Sequence, residues 1–424
     1  MFRSAAFLIA WLLAVPAFAG MPPGMRNPQV RPANASAGLP AVDDNLGAGG
    51  YPIAGGICAE WGHQVPCNDH YSTTRASTKY VMASDGLFTS VPSNVLALGN
   101  NTGGLIEEAR TNLALWSRDL TQSGTWIAVT MTANKNAVGI DGAANSATTL
   151  TSSSAAGTIL QSLTQSSAAY TYTVYVKGVT VTGAIQVADY PVLTPAFTTL
   201  SSSNCFNPAG VGVAPASGQT GFLRCTVTAT SLNPVIGFKF ANSGDSIVVD
   251  FNQLEAGSFG TSPIATTSAT ATRAADLITI AGSFLNLLQA GTGSVAALTN
   301  LVTQPIAGGP RIVGGTSGTF LDWIDFRPTG KIGTRNSSTA LSTTNSVTPS
   351  GAVKSAFSWG VSQRNIAAST IAAASDTNAF SQSSVTPQLG GGDSASTEYL
   401  DGYLQRVTGF SFTISAANLP GYTQ

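Results

Sequence analysis

Short apolar runs alternate with Thr and Ser along most of the chain. In AYTYTVYVKG, Tyr170, Tyr172, Val174 and Val176 fall on one face of an extended segment. Thr171, Thr173, Tyr175 and Lys177 fall on the other, which is the period of a β-strand. SIVVDFNQLEAG predicts a second strand, with Ile247, Val249 and Phe251 on one face. LITIAG, TFLDWIDF, SAFSWGVS and GFSFTIS continue the pattern towards the C-terminus, and Phe410, Phe412 and Ile414 share a face in the last. Turn residues punctuate these runs at short spacing, and no long stretch carries a helical period. One short helix is predicted over Gly282–Leu288. The fold class that follows is all-β, with two antiparallel β-sandwiches of jelly-roll type.

The chain starts differently. Arg3 precedes an apolar run from Ala5 to Val15, and Ala17-Phe18-Ala19 has the small-x-small form of a signal-peptidase site. Residues 1–19 are therefore expected to be a signal peptide. The run is shorter than the roughly 20 apolar residues a membrane span needs. No stable membrane insertion is expected after cleavage, and the mature chain is expected to be secreted, periplasmic or extracellular. Residues 20–104 form a Pro/Gly-rich arm with a small disulfide loop and short strands such as KYVMAS, followed by an Asp85-Gly86 turn. The first sandwich is placed at 105–272 and the second at 273–424.

Composition narrows the function. Only 9% of the 424 residues are charged, against roughly 25% in an ordinary soluble domain. The net charge of −1 removes the electrostatic basis for nucleic-acid binding. Four cysteines in an exported chain point to disulfides. Spacing favours Cys58 with Cys67 and Cys205 with Cys225, although four cysteines allow three connectivities. Cys58, His63, Cys67 and His70 also form a C-x4-H-x3-C-x2-H string, which leaves zinc as the alternative.

The motifs of common catalytic routes are missing. Glu occurs only at positions 60, 107, 108, 255 and 398. Glu107 and Glu108 are adjacent, so on a strand they point to opposite faces and cannot flank one bond. Asp322 and Asp325 fall on opposite faces in the same way. There is no G-x-S-x-G, H-E-x-x-H or G-x4-G-K-[ST] string. Sugar binding asks less: an aromatic face and a few hydrogen-bonding groups. Tyr190, Trp323 and Tyr403 are the glycan-binding candidates, whereas Trp126 and Trp359 are expected in the cores. Calcium is the ion to expect in such loops, with Asp245, Asp250, Asp393 and Asp401 as candidate ligands. Arg110 and Arg273 stand beside few other charges, and pairing with Glu108, Asp276 or Glu255 at the domain junction accounts for them.

Three segments carry a resemblance. They are TTRASTKYVMASDGLFTSVPSNVLALGNNTGGLIEEARTNLALWSRDL at 73–120, NQLEAGSFGTSPIATTSATATRAAD at 252–276 and YLDGYLQRVTGFSFTISAANLPG at 399–421. In this order they resemble phage and prophage tail, fibre or head-spike structural proteins, across most of residues 73–424. The resemblance implies a carbohydrate-binding-module-like jelly roll followed by a concanavalin A-like, laminin-G-like sandwich. It implies a non-enzymatic protein whose partners are surface glycans, other virion proteins or further copies of itself, trimers being common among such fibres. The sequence departs from that pattern at its signal peptide and at Leu96-Ala97-Leu98, where basic residues are usual. The resulting expectation is an exported adhesin; the alternatives are an assembly module that binds no sugar, and a glycan-cleaving enzyme.

Overall fold

The computed structural model describes residues 42–46, 58–60, 63–65, 69–83, 85–99, 103–191, 196–301, 310–315, 321–327, 329–336, 339–346, 352–369, 371–380, 386–391 and 399–423. All lie in one compact unit, Arg31–Gln424. The expected signal peptide lies outside the described residues.

The architecture is all-β and antiparallel, as the alternation predicted. The middle sandwich stacks a five-stranded sheet on a six-stranded one. In the six-stranded sheet, Ser246–Ala256 and Ala168–Thr180 pair along most of their length. The inward rows are those of the period-two pattern: Tyr170, Tyr172, Val174 and Val176 meet Ile236, Phe238 and Phe240 of the opposing sheet in one core. Trp126 is buried here, its indole N–H donating to the Leu115 carbonyl at 3.1 Å.

The expected face breaks at one point. Ile247 and Val249 enter the inner core, but Phe251 joins an outer cluster with Phe88, Tyr175 and Phe222. The strand register slips opposite Thr173 and Tyr175, and Phe251 has a φ of 44°. A bulge of this kind re-aims the side chains that follow it.

The second sandwich stacks a seven-stranded sheet on a ten-stranded one. Its core unites Ile278, Ile312, Trp323 and Ile324 with Val295, Phe357, Trp359 and Leu404. Trp359 is buried and stacks on Phe357, with ring centroids 5.5 Å apart. The short helix forms at Gly282–Gln289, with Phe284, Leu287 and Leu288 inward. Phe410, Phe412 and Ile414 pack in one cluster, although the strand itself ends at Phe410.

Segments of the expected arm are built into these sheets. Val42–Asn45 pairs with Gly402–Phe410. Tyr71–Thr74 pairs with Leu277–Ile280. Gly103–Ile106 pairs with Gly402–Phe410. The hairpin Lys79–Met82/Phe88–Val91 instead covers the outer face of the middle sandwich: Tyr80 and Phe88 meet Phe251 and Tyr175, with centroids 4.9 and 5.1 Å apart respectively. Strands before and after the middle sandwich therefore belong to the second one. The middle sandwich is an insertion, and its incoming and outgoing chains, Arg110–Asn112 and Ala271–Arg273, pair with each other.

Where those chains cross lies a buried ion cluster. Asp276 accepts Arg75 Nη1 at 2.7 Å, Lys79 Nζ at 2.5 Å and the Glu107 amide at 3.0 Å. Glu107 takes Lys79 Nζ at 3.0 Å, Arg273 Nη1 at 3.3 Å and the Ser262 hydroxyl at 2.7 Å. Arg273 also donates to Thr261 Oγ1, whose hydroxyl donates to buried Glu255. Three cations thus face three carboxylates with almost no access to water. The expectation for Arg110 holds in its pairing with Glu108. Arg273 takes Glu107 as its ion-pair partner.

Removing one partner of a buried pair leaves an uncompensated charge, which typically costs 3–5 kcal/mol. Asp276→Asn, which strands Arg75 and Lys79 together, is expected to lower urea unfolding stability by about 3–5 kcal/mol. A loss below about 1 kcal/mol would show that the cluster does not hold the junction.

Candidate functional site

A cleft of about 680 Å³ opens where the hairpin, the inserted sandwich and the second sandwich meet. The hairpin contributes Tyr80, Met82 and Phe88. The inserted sandwich contributes Tyr175, Phe222, Arg224, the 206–210 loop and the 260–263 loop. Asn300 and Tyr403 close it from the second sandwich.

The Cys205–Cys225 disulfide shapes one wall. Cys205 and Cys225 are cross-strand partners, and so are the next pair, Phe206 and Arg224. One covalent link therefore seats an aromatic ring beside a guanidinium. Phe206 is 41% exposed, so part of its ring is open on the cleft that it lines. Asn207 turns the loop, its carboxamide oxygen accepting the Ala209 and Val211 amides at 3.0 Å each. Arg224 donates from Nη2 to the Gly260 carbonyl at 2.7 Å and is hydrogen-bonded to the Tyr175 hydroxyl. Burial pushes that hydroxyl up to about 12, so it stays protonated.

The cleft's carboxylate, Glu107, belongs to the ion cluster. Burial alone would raise its pKa. The Arg273 and Lys79 charges and the Ser262 hydrogen bond outweigh burial and hold it at about 2. It is thus ionised at neutral pH, with both oxygens engaged. Asp401 behaves in the opposite way. Burial and the neighbouring Glu108 charge raise it to about 7, against one accepted hydrogen bond from the Glu108 amide at 2.9 Å.

The candidates from sequence scatter. Tyr403 lines the cleft. Trp323 is fully buried in the second core and offers no face to a sugar. Tyr190 starts no contact that can be placed, because its side chain lies outside the described residues. Asp245 is buried and accepts the Thr182 amide and hydroxyl at 2.7 and 2.8 Å. Asp250 is buried against Arg118, at 2.7 Å from Nε, and also accepts the Ile140 amide. Asp401 sits beside Glu108, and Asp393 lies outside the described residues. Among the described residues no three potential metal ligands cluster. Of the proposed zinc string, Cys67 and the side chains of Cys58 and His63 lie outside them. The two His70 ring nitrogens engage Asp44 at 2.9 Å and Ser283 at 3.2 Å.

Tyr80, Phe206 and Arg224 were not singled out from sequence. The usable signal was adjacency: Cys205-Phe206 and Arg224-Cys225 place ring and guanidinium together once the disulfide is assigned. Compared with known proteins, the chain matches no family model and no curated protein. Among the described residues no helix is long and apolar enough to cross a membrane.

Two acids shifted in opposite directions, Glu107 and Asp401, shape the pH profile. Folded Asp401 holds its proton up to about 7, whereas the unfolded group loses it near 3.8. Stability therefore rises as pH falls through 7, by about 4 kcal/mol at most. Glu107 is ionised in the fold down to about 2 but protonates near 4.5 when unfolded. Its contribution is complete above 4.5 and is lost as pH falls towards 2. Urea midpoints from pH 8 to pH 3 should peak near pH 4, fall as pH rises from about 4.5 to 7 and level off above it, and Asp401→Asn should flatten that decline. A midpoint that increases steadily up to pH 8 would contradict the Asp401 assignment, and one that does not fall between pH 4 and pH 3 would contradict that of Glu107.

Proposed function

We propose that this is an exported, non-enzymatic β-sandwich protein of phage or prophage structural type that adheres to surface carbohydrate through the cleft at the domain junction. The observation that carries the reading is the cleft wall. Aromatic rings from three parts of the fold surround a space of ligand size, and Asn207, Arg224 and Asn300 supply polar groups among them. Aromatic faces accept the C–H surfaces of sugars, and the amides and guanidinium suit hydroxyls.

Support for the non-enzymatic part comes from Glu107. A general acid must carry a proton at working pH, and Glu107 is held ionised. As a nucleophile it is weakened, because the Ser262 amide and hydroxyl and the Lys79 and Arg273 charges all hold its negative charge. Calcium is not needed to shape this cleft, since the disulfide and the ion cluster fix its walls. Export agrees with the disulfide and with the apolar N-terminal run.

Glycan-array binding by residues 20–424, with a heat-denatured control, is the test. Phe206→Ala and Tyr403→Ala should each weaken binding about three- to tenfold, the value of one aromatic contact. A chelator should leave binding unchanged. A folded protein that binds no glycan would move the reading to an assembly module.

A further inference from the structure

Resting on that reading of the cleft, we infer that its ligand is an acidic saccharide, and that Arg224 receives the sugar carboxylate.

The described cations differ in whether a carboxylate answers them. Arg75, Lys79, Arg110, Arg118, Arg273 and Arg364 each have a carboxylate within ion-pair distance. Arg224 is half-buried on the cleft wall, and among the described residues no carboxylate pairs with it. Its recorded partners, the Gly260 carbonyl and the Tyr175 hydroxyl, are neutral, and they orient the guanidinium without cancelling its charge. Lys177 adds to the same field. Its ammonium stands 5.1 Å over the ring of Phe222, a cleft residue, and it too lacks a carboxylate partner among the described residues.

The one carboxylate lining the cleft does not offset this field. Glu107 is already bound by Lys79 and Arg273, so it presents little negative charge to a ligand. The positive character is local, because the whole chain carries a net charge of −1. A guanidinium fork matches a carboxylate in two parallel hydrogen bonds, and low-dielectric aromatic walls strengthen that pair. Phe206, directly across the strand pair from Arg224, supplies the stacking face beside it. A sugar acid carries both an apolar ring face and a carboxylate, and these two cross-strand neighbours offer a partner for each.

The test is an array carrying uronate- and sialate-bearing oligosaccharides beside the same oligosaccharides with each carboxyl methyl-esterified, plus neutral and sulfated glycans. The native chain should bind acid forms at least tenfold more tightly than their esters. Arg224→Gln should erase that ratio, with binding to the acid forms falling to the level of the esters. Lys177→Gln, at a partly exposed position, should reduce the ratio two- to threefold. Thermal unfolding of each variant checks that the fold is intact. Equal binding to acids and esters, a preference for sulfated over carboxylated glycans, or an acid preference that survives Arg224→Gln would overturn the assignment of a carboxylate to Arg224 but leave the cleft reading standing. Absence of binding to every glycan, neutral ones included, would overturn both.

Discussion

Burying six charges in one place is costly unless each is answered, and the junction of this protein answers all of them. Arg75, Lys79 and Arg273 meet Glu107, Asp276 and, through Thr261, Glu255. In a chain with only 9% charged residues this concentration is a large commitment. The desolvation penalty is offset only by near-complete hydrogen bonding, which makes the arrangement intolerant of displacement. That intolerance suits its position. The inserted sandwich hangs from two short chains, and an apolar contact there would permit sliding that fixed ion pairs do not.

The cleft is a consequence of that clamp. Lys79 begins the hairpin whose aromatic residues cover the inserted sandwich, so the cluster fixes the wall made by Tyr80 and Phe88. Ser262, bound to Glu107, fixes the 260–263 loop. The disulfide fixes the remaining wall. A site framed in this way is preorganised, and a ligand entering it loses little affinity to ordering the protein. Two charges at this site differ in their availability. Glu107 is consumed by structure, whereas Arg224 is oriented by neutral partners and keeps its charge for a ligand.

Local pattern made much of the fold legible. The Tyr170–Val176 row, the buried Trp126 and Trp359 and the helix after Ile280 all follow from period and composition. Pairing across long sequence distances did not show itself. Nothing in KYVMAS says that its strand will cover a sheet made by residues 168–180 and 246–256, because that depends on the shape of a distant surface. The bulge at Phe251 was hidden for a related reason: alternation assumes an unbroken register, and a positive φ in a phenylalanine has no signature in the residue itself. Charges were more legible, since scarcity makes each one informative. Arg110 found Glu108, but the partner of Arg273 is Glu107, which local reading had set on a strand face without a role. The site residues emerged least. Trp323, a glycan candidate from sequence, is core, while Phe206 and Arg224 acquire meaning only when the disulfide sets them in register as cross-strand neighbours.

Hydrogen exchange of the folded chain, with and without a uronate-bearing oligosaccharide, most directly tests whether the clamp and the cleft are one device. Bound sugar should slow exchange in the 79–91 hairpin, the 206–224 segment and the 260–263 loop together, with the far strands of both sandwiches unchanged. Protection confined to a different surface, or no change at a saturating concentration of sugar, would contradict it.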